Sequence, residues 1–156
     1  MRVWHYTTWE AFEDIGISMI INTTSLGIEF NEKPAVWFST NPDWEETVRK
    51  VLQDRETGKE TLGLSRDELW KVGINPVRIE VYPGLPFLSW QQFKKKSGIS
   101  KRMAQALEQQ AIEWGANPDE WLALFSPVTQ DHWLVIEIWD GQAWKVKFSR
   151  DRSRFH

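Results

Sequence analysis

"RVWHYTTWEAF" (residues 2–12) sets a histidine and a tyrosine inside an opening strand and follows them at once with two threonines. Residues 2–6 read as a short strand. Thr7 or Thr8 then supplies a hydroxyl to cap a helix in which Trp9, Phe12 and Ile15 share one face, with Gly16 as its stop. A strand of this kind normally buries Val or Ile, so His5 and Tyr6 at its end mark a candidate site.

Working outward, "PAVWFS" (34–39) is a β-branched and aromatic run of strand length. The segment behind it, "TNPDWEETVRKVL", predicts a helix: Thr40 or Asn41 as cap, Pro42 in the first turn, acids near the positive end, and Trp44, Val48, Val51 and Leu52 at helical spacing. "VRIEVY" (77–82) is a further strand between Pro76 and Pro83. Ser100 caps a helix whose stripe is Met103, Leu107, Ala111 and Trp114 and whose stop is Gly115. "WLALF" (121–125) reads as an apolar strand. A hairpin turning on "DGQ" closes the pattern, placing Leu134, Ile136, Ile138, Trp144, Val146 and Phe148 on one face and Glu137 opposite Lys145. The turn-rich 56–76 stretch predicts a long loop with a short helix. Strands and helices are mixed without regular alternation, so the expected class is α+β, with a split, mostly antiparallel sheet flanked by helices.

With 156 residues the chain is expected to form one domain, 1–156, with one core. It has no cysteine, which excludes disulfides and thiolate catalysis, and its three histidines show no metal-ligand spacing, so no metal is expected. No apolar run approaches the ~20 residues of a membrane span, and no signal-peptide pattern stands at the N-terminus. A cytoplasmic protein is the expectation, without membrane partners. The net charge of -3 argues against broad electrostatic binding of nucleic acid, although "FKKKSGISKR" (93–102) and "KVKFSRDRSR" (145–154) are locally basic. Eleven tryptophans are several times the usual share; most are expected in the core, and some of the excess is available to stack on a flat ligand.

In order and spacing three segments resemble the ADP-ribosyltransferase-like superfamily of the histidine-tyrosine-glutamate type, in particular its small bacterial or phage members. "VWHYTT" is similar to the first-strand histidine motif in the "HYT" form of relatives of DNA-modifying toxins. "AVWFST" is similar to the second motif, and "DEWLALFSPV" (119–128) to the third, in which a glutamate opens a strand. The region around 56–100 lies outside the motifs and reads as an insertion. Trp37 stands where the family has tyrosine. Pro118 replaces the second acid that arginine-modifying members carry two residues before the glutamate, which argues against protein arginine as acceptor.

The resemblance implies an NAD-dependent ADP-ribosyltransferase, with NAD as substrate and an acceptor that is nucleic acid or protein. Cleaving the nicotinamide–ribose bond builds positive charge on the sugar, as in glycoside hydrolysis, and a nearby carboxylate favours that charge. Glu120 is the catalytic candidate; Glu137 is set aside because of its expected lysine partner. Trp37 is the candidate stack for the cationic nicotinamide. His5 meets ribose hydroxyls, and Tyr6 and Thr7 hold the carboxamide through backbone groups. Ser39 and Thr40 add hydroxyls beside a helix N-terminus that would favour the diphosphate. Toxin-like members are expected to have a neutralising protein partner. A catalytically inactive nucleotide-binding or protein-interaction module on the same fold stays open. The related RNA 2′-phosphotransferase is disfavoured, since the second motif has no histidine.

Overall fold

A computed structural model describes residues 1–23, 31–49, 56–59 and 63–151, the side chains of Asp14, Gly16 and Ile17 excepted. The strands are β1 (Val3–Thr8), β2 (Ile20–Ile21), β3 (Val36–Ser39), β4 (Pro76–Val81), β5 (Leu88–Ser89), β6 (Trp121–Leu124), β7 (Val128–Thr129), β8 (Trp133–Trp139) and β9 (Trp144–Ser149). The helices are α1 (Trp9–Ser18), α2 (Arg66–Lys71), α3 (Trp90–Lys96) and α4 (Lys101–Trp114). Seven strands form one antiparallel sheet in the order β5-β6-β3-β1-β4-β8-β9, and β2 pairs with β7 in a separate ribbon. The fold is α+β, as the mixed pattern predicts. The 56–100 stretch supplies β4, which lies between β1 and β8 inside the sheet.

Alternation along the central strands divides the core. Val3, Val36, Phe38, Val77, Ile79, Val81 and Ile136 point to one face, where α1 brings Phe12 and Ile15 and the ribbon brings Ile21 and Val128. Each such aliphatic side chain taken out of water contributes about 1.5–3 kcal/mol. The opposite face carries two separate clusters. Over β3 and β6, Trp90 and Phe93 of α3 and Ala104 and Ala111 of α4 pack on Ala35, Trp121 and Ala123. Over β1, Trp44 and Leu69 pack on Trp4 and Tyr6, with Trp144 alongside. The seam between these clusters is where the site lies.

Local chemistry sets the helix ends. Thr8, rather than Thr7, caps α1 by accepting from the Ala11 amide, and Ser65 and Ser89 form reciprocal capping boxes with Glu68 and Gln92. Ser100 caps α4 and Gly115 closes it at φ 76°, the left-handed turn that glycine adopts without cost. Helix α1 runs past Gly16 to Ser18, and Met19 makes the left-handed turn at φ 57°.

Three expectations need correction. Residues 41–49 are turns and bends, not helix, and 50–52 lie outside the described residues. The cause is capture of the carbonyls a helix would use: Asn41 O accepts from the Tyr6 hydroxyl, Pro42 O from Arg78, and Asp43 O from Trp144 Nε1 at 3.0 Å. The hairpin is also shifted, because Trp139 pairs with Trp144 across four intervening residues. Glu137 therefore faces Val146, not Lys145, and its carboxylate pairs with Arg78 from β4 at 3.0 and 3.2 Å. In this register Trp144 and Val146 leave the face of Ile136 and Ile138, and Val146 and Phe148 are exposed. Third, Glu120 does not open β6; it ends a 3-10 turn over Pro118–Glu120.

Candidate functional site

Strands β1 and β3 share a single paired position, Trp4 with Ser39. Beyond it the two strands part, and the His5 ring takes up the place of a ladder bond, with Nδ1 2.8 Å from the Trp37 carbonyl. A carbonyl can only accept, so Nδ1 carries the proton and Nε2 is left as an acceptor. Desolvation pushes the His5 pKa below its ordinary value, partly offset by that carbonyl, which keeps the ring neutral at pH 7.

The parting of the strands opens a cleft of about 310 Å³ between the two clusters of that face. Its aromatic wall is Trp37, Trp90 and Trp121, extended by Met103 and Leu107 from α4. Trp37 is half-buried and meets Phe93 edge-on with centroids 4.5 Å apart. Trp90 is fixed by donating Nε1 to Glu108 at 2.7 Å, and the hydrogen bond from Lys94, with that from Trp90, holds the Glu108 carboxyl below its usual range. Trp121 is buried, and its indole N–H has no hydrogen-bond partner among the described residues.

The rest of the lining includes polar and acidic residues: Tyr6, Ser39, Thr47 and the buried carboxylates Glu32 and Glu45. Glu45 is held at both oxygens: Ser39 Oγ donates to Oε1 at 3.2 Å, and the Thr47 amide donates to Oε2 at 3.1 Å, with the Thr47 hydroxyl on the same oxygen. Ser39 Oγ also accepts from the Asn41 amide, and Asn41 Oδ1 accepts from the Asp43 and Trp44 amides, which turns the chain tightly behind β3. Burial drives the Tyr6 pKa well above its ordinary value, so its hydroxyl stays a donor to Asn41 O. Among the described residues no lysine or arginine lines the cleft, and no group of three or more His, Cys, Asp or Glu is placed to hold a metal.

Of the residues singled out in the sequence, His5, Tyr6, Trp37 and Ser39 line this cleft, and Thr7, Thr40 and Glu120 do not. Thr7 is buried in β1 opposite Val77. Thr40 closes the chain onto the Glu120 carbonyl, with its amide at 3.0 Å and its hydroxyl at 3.4 Å. Glu120 is partly exposed, and its Oε1 accepts from Asn41 Nδ2 at 3.4 Å. No helix N-terminus stands behind Ser39 and Thr40, so the dipole expected to favour a diphosphate is not there. Glu45, Glu32 and Trp121 also line the cleft but are not singled out by the sequence. Glu45 in "NPDWEETV" reads as an acid at a helix start, and Trp121 as the first residue of an apolar strand.

Comparison of the chain with protein-family models, curated proteins and solved structures finds no match.

Proposed function

We propose that the cleft binds NAD and that the protein moves its ADP-ribose to an acceptor, nucleic acid or protein, with release of nicotinamide, on an ADP-ribosyltransferase-like sheet. The observation that carries this reading is the cleft itself: three indoles, two buried carboxylates and a neutral histidine line one cavity. A flat cationic ring suits such a cavity, because indole faces attract cations and a carboxylate away from bulk water is weakly screened. In this reading the nicotinamide enters the indole wall and His5 Nε2 accepts from a ribose hydroxyl. The glycosidic electron pair leaves with nicotinamide, which becomes neutral. The acceptor's nucleophile then bonds to the ribose carbon and gives up its proton.

Nicotinamide release from NAD, with and without cell lysate, tests the proposal. Trp37→Ala is expected to raise KM roughly tenfold, the equivalent of about 1.4 kcal/mol of lost cation–π contact. His5→Ala is expected to lower kcat/KM. No release from folded wild-type protein under either condition would remove the transferase reading.

A second reading, nucleotide binding without cleavage, is favoured by one observation: Glu120 stands off the cleft lining. It predicts saturable NAD binding with no nicotinamide formed.

A further inference from the structure

Glu45 is 7% exposed, and its contacts among the described residues are all with neutral donors: a serine hydroxyl, a threonine hydroxyl and a backbone amide. Two other buried carboxylates in this protein have cations. Glu137 has Arg78 at 3.0 Å, and Glu80 has Arg2 at 2.6 Å. A buried carboxylate without a counter-charge is costly unless something else supplies one. Glu45 differs from those two in lining the cleft, together with the indoles of Trp37, Trp90 and Trp121.

We infer that Glu45, rather than Glu120, is the carboxylate that recognises the bound ligand, and that it makes the cleft selective for N-alkylated cationic heteroaromatic rings over neutral rings of the same shape. The inference deepens the NAD reading and rests on it for the identity of the larger ligand. The ligand's ring supplies the missing counter-charge, stacked against Trp37 and facing Glu45. Ser39 and Thr47 hold the carboxylate in one orientation before the ligand arrives, which lowers the ordering cost of binding.

The test compares N-methylnicotinamide, a cation, with nicotinamide, its neutral counterpart, by calorimetric titration of the full chain. Wild type is expected to prefer the cation at least tenfold. Glu45→Gln keeps the shape and an acceptor for the Thr47 donors, turns its NH2 toward Ser39 Oγ and removes the charge; it is expected to lose that preference, while Glu120→Gln keeps it. Equal affinity of wild type for both probes, or a preference unchanged in Glu45→Gln, overturns the inference. If Glu45→Gln does not fold, Glu45→Asp withdraws the carboxylate by one methylene and is expected to cut the preference at least threefold; an unchanged preference there overturns it equally. Nicotinamide release from NAD is followed in parallel. A Glu45-dependent cation preference without release removes the transferase reading and leaves the Glu45 assignment standing. Release without that preference does the reverse.

Discussion

His5 illustrates how a single side chain links stability to pH. Its folded pKa is lowered by burial, so the unfolded chain binds more protons below the unperturbed value of about 6.5. Its contribution is therefore complete above that value and is lost as pH falls from there toward the folded pKa. Wild type should lose more thermal stability between about pH 7.5 and 5.5 than His5→Asn, whose side chain retains a donor for the Trp37 carbonyl. Parallel melting curves check this, and equal slopes would refute it. Tyr6→Phe removes the donor to Asn41 O and is expected to cost about 1–2 kcal/mol in denaturant unfolding. At this scale His5, Tyr6, Trp37 and Ser39 were legible, because ring-bearing and hydroxyl residues at strand ends stand out against a β-branched background. Glu45 was hidden. Its place in the cleft depends on the chain turning back behind β3, and nothing in three closely spaced acids separates that from an ordinary helix start.

Among the elements, those with local causes were read correctly. Helix α4 has its serine cap, its apolar stripe and its glycine stop within its own sequence. The segment behind β3 has equally good helical spacing, yet three of its carbonyls are taken by donors from β1, β4 and β9, more than thirty residues away in sequence. Tertiary hydrogen bonds outweigh propensity there. The hairpin register failed for a related reason: a loop one residue longer than supposed exchanges the faces of Trp144 and Val146, and the buried Arg78–Glu137 pair stabilises that exchange. Met19 offers a prediction at this level. A non-glycine residue at φ 57° is strained, and its side chain is 45% exposed with little packing to lose. Met19→Gly is expected to stabilise the protein by about 0.5–1 kcal/mol, measured by chemical denaturation.

Taken whole, the molecule is tied together across the sheet by one buried cation. Arg78 bonds Glu137 on β8 and the Pro42 carbonyl behind β3, and its guanidinium lies 4.6 Å from the Trp144 ring centre on β9. Arg78→Met leaves Glu137 buried without its partner and should cost about 3–5 kcal/mol, read as a lower denaturant midpoint. The α+β class was legible because strand and helix periods differ along the chain. The strand order was not, since antiparallel neighbours far apart in sequence leave no local trace. That order bears on how the protein is made. β1, which carries the histidine, leaves the ribosome well ahead of its principal neighbour β4, and β3 well ahead of β6. Pairings so distant in sequence form slowly, and the nascent chain carries apolar strand edges until they do. Residues 3–8 therefore depend on delayed partners, and slower emergence of Trp133–Trp139 would prolong the interval in which an unfinished sheet is open to aggregation.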